Sequence, residues 1–390
     1  MHVVSKETFQ KIDARRVHGS SVARVGSQYN YVKTDDSVED VADSFIRHPE
    51  VLAVGVVDSN MRLVGVVQRS DLFHRLGKPY GRDILGRKPI TDVAENNPTF
   101  YYESNVFNVA EKVSALNSER QRIRFFGLVD DKDGFVGLFS SMDILSYLAS
   151  LTQQDISLAG MLQERMQHHD DILKGENCSC IAISKYAKGM GGDFHFLLRM
   201  PDGRILMALC DVSGKGAAAS IITGMLWGMM KVYDYSRGLV QLVKDVNRAV
   251  IEAFRLEKYL TGIFAIYNEK TRELVLADMG HGHLCVGRNG KVREVSIAQS
   301  NLPVGIELDI EPQLSRLRLK PGDTLAIVTD GLIEQQNIEG QEQNIETWLA
   351  GMQEGDLLEY CNDLIQRFNE YRRGVVQLDD VSVMLLRAEA

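Results

Sequence analysis

The C-terminal half of the chain carries four acidic groups, each bordering an apolar run typical of a buried strand. They are Asp193 in GMGGDFHF, Asp211 in LCDVSGKG, Asp330 in IVTDGLIE and the pair Asp379–Asp380 in QLDDVSVMLL. Carboxylates at strand ends can converge in a folded sheet, and hard cations such as Mg²⁺ and Mn²⁺ prefer oxygen ligands. Asp beside Gly is also a common turn sequence. Four such positions beside buried strands favour a hard-metal site of the kind that handles phosphates.

Composition narrows the class of protein further. A chain of 390 residues is too long for one ordinary core, so two domains are expected. The formal net charge of −9 argues against a general nucleic-acid binder. No apolar stretch reaches the ~20 residues that span a bilayer, and the N-terminus lacks a signal-peptide core. The five cysteines fit no zinc spacing. We therefore expect a cytoplasmic protein with neither nucleic-acid nor membrane partners.

The first ~150 residues read as two copies of one unit. Each copy has a helical pattern, an apolar strand, a turn, a second apolar strand and a helix opened by Ser and Asp. VVDSNMRLVGVV in the first copy parallels LVDDKDGFVGLF in the second, and both predict a hairpin. The duplication predicts a pseudo-symmetric pair with a shared cleft.

This pair resembles a tandem of cystathionine-β-synthase (CBS) domains, a module that often binds adenine nucleotides. Its ribose-contacting signature is Gly, then Ser or Thr, then Asp, at steps of three. The second copy keeps Gly137, Ser140 and Asp143, whereas the first has Gln68 before Asp71. The resemblance implies a nucleotide site at Ser140 and Asp143, with Asp71 as the weaker counterpart. Ser140 and Asp143 also suit a helix N-cap, so that alternative stays open.

From about Met161 to the C-terminus, the ordered motifs resemble the metal-dependent protein phosphatase (PPM) family, in the bacterial branch typified by the stage II sporulation phosphatase. They are GGDF (191–194), DVSGKG (211–216), MGHGH (279–283), LPVGI (302–306), LKPGDTLAIVTDGLIE (319–334) and DDVSVMLL (379–386). The resemblance implies an αββα sandwich. The predicted fold class is therefore α/β (α+β), with an N-terminal tandem CBS module, a linker helix and a C-terminal sandwich phosphatase domain.

Four segments follow from these motifs. They are an N-terminal segment at 1–20, the CBS-like module at 21–150, a linker helix at 151–175 and the phosphatase domain at 176–390. Apolar residues from Leu148 to Ile172 follow steps of three and four, which predicts an amphipathic helix with a possible coiled-coil seam. A helix packed on the following domain is the alternative. In the sporulation-phosphatase branch, the resemblance implies that helices preceding the core switch the metal site on.

The resemblance also implies the roles of the acids. Two Mn²⁺ or Mg²⁺ ions would bridge a water that attacks a phosphomonoester in line. Asp193 and Asp211 would hold one ion and bridge both, with the Val212 carbonyl as a further oxygen. Asp330 and Asp379 would complete the other site. The supporting positions are Gly191, Gly192, Gly331 and Asp380.

Two positions depart from the family pattern. Phe196 stands where a second acid is frequent, three residues after Asp193, and Ser213 stands where some relatives carry His. The four core acids are present, so an active enzyme is expected, with weaker metal affinity or a need for switching. His281 and His283 lie in a turn that can approach the site.

The predicted function is a metal-dependent phosphoserine/phosphothreonine protein phosphatase, regulated by its CBS module and assembled as a homodimer. By branch resemblance, the phosphoprotein substrate is a small anti-sigma-factor antagonist in a partner-switching pathway. The alternative is a nucleotide-responsive docking protein with an inactive phosphatase fold, an alternative that Phe196 motivates.

Overall fold

The computed structural model describes residues 7–15, 17, 19–117, 124–166, 170–297 and 301–389. The chain forms two compact units, residues 1–153 and 154–390, and the boundary falls inside one long helix. Within the described ranges, no helix combines the length and apolar character that a membrane span requires.

The first unit repeats a strand–helix–strand–strand–helix pattern. Its strands are β1 (Gln10–Lys11), β2 (Asn30–Lys33), β3 (Ala53–Val57), β4 (Leu63–Gln68), β5 (Thr99–Tyr101), β6 (Phe125–Val129) and β7 (Phe135–Ser140). Its helices are α1 (Val38–Arg47), α2 (Arg69–Leu76), α3 (Gly81–Leu85), α4 (Val106–Asn117) and the start of α5 (Ser141–Met166), with 3-10 turns at Val22–Val25 and Ile90–Asp92.

Backbone pairing confirms the duplication. The strands form one sheet in the order β1-β2-β3-β4 and a second in the order β5-β6-β7. In each copy the first strand of the repeat, β2 or β5, pairs parallel with the next, and the hairpin is antiparallel. Both hairpins also shift register at the same relative place, Val56/Val57 in one copy and Leu128/Val129 in the other.

The copies interlock through two equivalent glycines. A Cβ atom on Gly55 would lie 2.6 Å from the Phe135 ring of the other copy, and a Cβ atom on Gly127 would overlap the Leu63 side chain. Leu63 and Phe135 open the equivalent strands β4 and β7. Each copy therefore leaves out one side chain to admit a large residue from its twin, as a pseudo-twofold pair requires.

The second unit contains the end of α5 and the remaining elements. Its strands are β8 (Asp170–Lys174), β9 (Cys178–Lys185), β10 (Asp193–Arg199), β11 (Ile205–Val212), β12 (Leu260–Asn268), β13 (Glu273–Met279), β14 (Leu284–Arg288), β15 (Lys291–Glu294), β16 (Ser315–Arg318), β17 (Thr324–Val328) and β18 (Val381–Ala388). Its helices are α6 (Ala217–Val232), α7 (Leu239–Phe254), α8 (Asp330–Ile333), α9 (Ile345–Trp348) and α10 (Leu357–Tyr371), with a 3-10 turn at Tyr235–Arg237.

Two antiparallel sheets and three apolar layers make this unit an αββα sandwich, as predicted. The sheet orders are β10-β11-β12-β13-β16 and β15-β14-β17-β18-β9-β8. One apolar layer packs α6 and α7 on the first sheet, one lies between the sheets, and one packs α9 and α10 on the second sheet. The five cysteines, all among the described residues, are buried free thiols.

The predicted helix running as far as Ile172 is wrong. Helix α5 ends at Met166, and Ile172 lies on β8, directly opposite Ile181 of β9. The three-four spacing that reached Ile172 is accidental, because β8 pairs with the free edge of β9. The predicted linker 151–175 therefore contains both the end of a helix and an edge strand, and its residues 167–169 lie outside the described residues.

Candidate metal centre

Strand register brings the predicted acids together at one edge of the sandwich. Asp193 opens β10 and Asp211 lies near the end of β11, and the two are direct partners across this antiparallel pair. Asp330 follows β17 and opens α8, while Asp379 precedes β18, the neighbour of β17. The charges of Asp330 and Asp379 act on Asp211, so the pairs from the two sheets share one site.

Hydroxyl groups of the second sheet hold the buried Asp193. The Thr329 hydroxyl donates a hydrogen bond to Asp193 Oδ2 at 2.9 Å, and the Ser382 hydroxyl also bonds this carboxyl group. The Ser382 backbone N–H in turn donates to Thr329 Oγ1 at 2.8 Å. Asp193 therefore joins the sheets at the site.

Asp380 supports the loop before Asp193. Its two oxygens accept hydrogen bonds from the backbone N–H groups of Ala187 and Gly192, both at 2.7 Å. A Cβ atom on Gly191 would overlap both the Asp380 carboxylate and the Tyr186 ring. The glycine therefore lets the loop close over Asp380, whose carboxylate serves the loop and not the centre of the site.

Gly331 places Asp330 beside Asp379. A Cβ atom on Gly331 would overlap the Asp380 carbonyl oxygen and lie 3.0 Å from the Asp379 Cβ. The start of α8 can therefore pack on the Asp379–Asp380 backbone only because residue 331 has no side chain.

Lys215 is a cation within the acidic site. Its Nζ lies 2.6 Å from Asp379 Oδ2 and donates a hydrogen bond to the Leu378 carbonyl. The other Asp379 oxygen accepts from the Asp380 backbone N–H at 2.8 Å. Lys215 therefore forms an ion pair with a predicted metal ligand.

The acids raise one another's pKa values. Burial, followed by the charges of Asp330 and Asp379, raises the pKa of Asp211 to about 7. Burial and the Asp211 charge raise the pKa of Asp193 well above its ordinary value, and burial and Asp379 raise that of Asp330. Negative charge therefore accumulates here beyond what Lys215 compensates, and this is the condition that a bound cation relieves.

The donor chemistry fits hard divalent cations, but the arrangement is open. Across the described ranges, no three His, Cys, Asp or Glu side chains converge closely enough to form a ready-made metal shell. Asp379 is turned towards Lys215, and Asp193 towards the hydroxyls. The Val212 carbonyl oxygen would lie 3.0 Å from a Cβ atom on Gly192, so that oxygen borders the same loop.

Phe196 faces away from the acids. It packs in the helix-side apolar layer, stacked on Phe194 at a ring-centroid distance of 6.3 Å. Because side chains alternate along a strand, residue 196 lies on the face of β10 opposite Asp193. An acid at this place on the observed strand would enter an apolar layer and could not face the site.

The histidines of the MGHGH turn divide into two environments. His281 is buried, its Nε2–H donates to the Val328 carbonyl at 2.8 Å, and burial lowers its pKa to about 4. This ring therefore fixes the turn as a neutral group. An electrostatic interaction with Asp330 places His283 near the acids.

In the first unit, Ser140 and Asp143 form the helix cap that the sequence left open. The Asp143 backbone N–H donates to Ser140 Oγ at 3.1 Å, and Asp143 Oδ2 accepts from the Ser140 backbone N–H and hydroxyl at 2.7 Å. This reciprocal pattern is a capping box. Ser27 donates to the same carboxylate at 2.7 Å, while Asp71 is half-buried on α2. Nucleotide binding at these residues stays a prediction.

Sequence reasoning missed several polar residues that support the site. Gln163, Thr329 and Ser382 are all buried and bonded near Asp193 or its loop. Ser382 interrupts the apolar run VSVMLL, and a polar residue inside a buried strand is a usable signal. Gln163 has no such signal, since polar residues are ordinary on an amphipathic helix.

We predict that Asp211→Asn stabilises the protein in the presence of a chelator. The folded-state pKa of Asp211 lies above the ordinary 3.8, so wild-type stability falls as pH rises from about 4 through 7. Removing this charge should raise the unfolding free energy at pH 8 by on the order of 2 kcal/mol, and by much less at pH 5. Urea unfolding followed by tryptophan fluorescence measures this, because Trp227 and Trp348, the two tryptophans of the chain, both lie in the second unit.

The matched control is Asp202→Asn, at the far end of β11. Arg204 pairs with this exposed carboxylate and lowers its pKa, so the control should leave stability unchanged or slightly reduced. Equal stability of wild type and Asp211→Asn at pH 8 would contradict repulsion among the acids.

Comparison with known families places both units. Residues 201–389 match the model of the stage II sporulation protein E (SpoIIE) family, and residues 23–78 match that of the CBS domain. The CBS match covers the first of the two copies.

Two curated relatives come from Bacillus subtilis (strain 168). Phosphoserine phosphatase RsbU is 26% identical over 154 residues, which cover 39% of this chain and 46% of RsbU. Stage II sporulation protein E is 23% identical over 208 residues, which cover 52% of this chain and 25% of that protein. The chain thus spans less than half the length of either relative.

A solved structure has the same sandwich. The PP2C domain of SiaA from Pseudomonas aeruginosa aligns with a TM-score of 0.51 and 18% identity, covering 62% of this chain and 98% of that domain. At this identity the likeness is one of fold. Together with the family matches, it leads to one conclusion: the second unit has the PP2C fold and matches the SpoIIE family model over residues 201–389, and it follows an N-terminal region that matches the CBS domain.

Proposed function

We propose that this chain is a metal-dependent phosphoserine/phosphothreonine protein phosphatase. The observation that carries the proposal is the cluster of Asp193, Asp211, Asp330 and Asp379, brought from both sheets to one edge with too little positive charge to balance it. The relative RsbU is a phosphoserine phosphatase by name, and it supports the same reaction.

The proposed roles of the residues are those that the family resemblance implies. Asp193, Asp211 and the Val212 carbonyl would hold one Mn²⁺ or Mg²⁺ ion, and Asp330 and Asp379 the other. Bound divalent ions supply a water of lowered pKa and stabilise charge on the phosphoryl group. Thr329 and Ser382 keep Asp193 oriented through their hydroxyls.

Lys215 would have a second role once Asp379 turns to an ion. Freed from that carboxylate, its ammonium group lies at the edge of the acidic site and can attract the dianionic phosphate of the substrate. The ion pair with Asp379 would thus be exchanged for one with the substrate.

We predict that Asp211→Asn abolishes phosphatase activity. The wild-type chain with Mn²⁺ should hydrolyse p-nitrophenyl phosphate and a phosphoserine peptide, and Asp211→Asn should lower the rate at least ~10²-fold, because a bridging charge is lost. The control is Asp202→Asn, which changes an exposed carboxylate in the turn before β11, and it should keep wild-type activity.

A wild-type chain that hydrolyses neither substrate with any divalent metal would overturn this function. Calorimetric titration with Mn²⁺ then distinguishes the alternative of a nucleotide-responsive docking protein, since an inactive fold of that kind should bind no metal at the acids.

The proposed substrate is a small anti-sigma-factor antagonist of a partner-switching pathway. This choice rests on the likeness to RsbU and stage II sporulation protein E. A kcat/KM for such a phosphoprotein no higher than for an unrelated phosphoserine peptide would argue against it.

The proposed regulation acts through helix α5. Gln163, in the part of α5 that belongs to the second unit, makes two hydrogen bonds with the Gly191 backbone, donating to its carbonyl at 2.8 Å and accepting from its N–H at 3.0 Å. Gln163 also donates to Thr223 of α6 at 3.0 Å. One turn earlier, a Cβ atom on Gly160 would overlap the Gly189 carbonyl oxygen. A shift or rotation of α5 would therefore disturb the loop that leads into Asp193.

We predict that Gln163→Ala weakens Mn²⁺ binding about tenfold and lowers activity in parallel. The substitution leaves the buried backbone of Gly191 without its bonds, and supporting partners of metal ligands carry effects of this size. Calorimetric titration measures the affinity. Gln154→Ala, an exposed glutamine on the same helix, is the control and should match wild type. Unchanged affinity in Gln163→Ala would rule out this route.

The module preceding α5 is proposed to bind an adenine nucleotide at Ser140 and Asp143. A cavity of about 480 Å³ borders this position through Ser27, the hydrogen-bond partner of Asp143. Asp143→Asn should abolish AMP or ATP binding in a calorimetric titration. Asp71→Asn should preserve it, because its copy has Gln68 in place of the hydroxyl. The site would be contradicted if both variants still bound the nucleotide, or if the wild type bound none.

The chain is also proposed to form a homodimer. Leu158, Met161 and Leu162 expose about half of their side chains on α5, which suits coverage by a second copy. A one-chain mass by light scattering would contradict this assembly.

A further inference from the structure

A row of hydrogen-bonded, buried polar side chains, here called the polar series, runs behind Asp193 inside the layer between the two sheets. Ser382 of β18 and Ser184 of β9 are direct partners across their strand pair, and their Oγ atoms lie 2.7 Å apart. Ser184 Oγ is also 2.7 Å from Nδ1 of His195. His195 is 1% exposed and lies two residues after Asp193, on the same face of β10.

Packing alone gives no reason for these polar residues. The surrounding layer is otherwise built from apolar side chains such as Leu209, Ile263 and Met384. Placing an imidazole and two hydroxyls in such a layer costs free energy unless their hydrogen bonds are satisfied. The arrangement is therefore one that can persist when its bonds are complete, and it ends at a proposed metal ligand.

The number of available protons determines which group donates each hydrogen bond of the polar series. When a bound cation keeps Asp193 ionised, its carboxylate can only accept hydrogen bonds, so the single Ser382 hydroxyl proton would point to it. The Ser184 hydroxyl must then donate to Ser382 Oγ. Ser184 Oγ is left to accept, and the only donor its bond with His195 can supply is a proton on Nδ1.

We propose that His195 is a positioning residue for Asp193, an inference that rests on the proposed metal-dependent function. Its Nδ1–H would orient Ser184, Ser184 would orient Ser382, and Ser382 would keep the Asp193 carboxylate in one fixed orientation, available to a divalent cation. On its other side, His195 Nε2 lies 3.9 Å from Asp171 Oδ2 of β8. The ring itself touches neither substrate nor metal.

Two substitutions at His195 separate positioning from packing. Asn places an amide N–H close to where Nδ1–H lies, so His195→Asn should keep Mn²⁺ affinity within about threefold of wild type. His195→Phe fills the space without a donor and should weaken Mn²⁺ binding at least ~10-fold, as loss of an outer partner of a metal ligand does. Affinity is measured by calorimetric titration of the full chain, and urea unfolding confirms that each variant is folded.

Further variants test whether the polar series acts as one connected unit. Ser184→Ala should weaken Mn²⁺ binding as much as His195→Phe does. The double variant should bind Mn²⁺ no more weakly than either single variant, because both substitutions break the same polar series. Tyr267→Phe is the control. It removes another buried polar atom from the same layer, and it should leave the affinity unchanged. Additive losses of Mn²⁺ affinity in the double variant would show that the polar series is not connected.

A spectroscopic measurement tests the direction without relying on affinity. Long-range ¹⁵N–¹H correlation spectra of the Mg²⁺-loaded chain, assigned with His195→Asn, should show a protonated Nδ1; an Nε2–H tautomer would overturn the proposal. Equal Mn²⁺ affinity in wild type and His195→Phe would overturn the positioning role alone. A wild-type chain that binds no Mn²⁺ would instead overturn the proposed function on which it rests.

Discussion

Two carboxylates that face each other across an antiparallel strand pair repel, and the second unit is organised around this repulsion. Asp193 and Asp211 are in register on β10 and β11 at the edge of the sandwich, where two more acids arrive from the other sheet. Folding must hold these charges together against their mutual repulsion and against burial. The hydroxyls around Asp193, the backbone donors around Asp380 and the ammonium of Lys215 each offset part of this cost.

Glycine makes the approach of the two sheets possible at this edge. At Gly191 and Gly331 a side chain would overlap the Asp379–Asp380 segment, so the acids of one sheet could not reach those of the other. The glycines next to the predicted ligands therefore act through close backbone contact. This is a tertiary requirement, although it leaves a mark in the sequence as GGD and TDG.

The parts that sequence could predict are those that local pattern determines. Apolar runs in the sequence located the buried strands beside the four acids, and the ends of those runs located the acids themselves. The short edge strands β15 and β16 carry alternating charged residues, so an apolar-run criterion passes over them. Ile172 follows a helical spacing but lies on an edge strand, where its partner is Ile181 of β9, a segment that the helical spacing does not include. Gln163 and His195 stayed hidden for another reason. Their roles depend on contacts with segments distant in sequence, which no periodicity reports.

Helix α5 carries residues of proposed function near both of its ends. Its first turn is capped by Ser140 and Asp143, and Gln163 near its other end forms hydrogen bonds with the loop that leads to Asp193. Within the second unit, Gly160 and Gln163 lie one turn apart on α5 and contact the loop at Gly189 and Gly191. The end of the helix therefore holds the metal loop at two places, and the loop has little freedom to move independently of it.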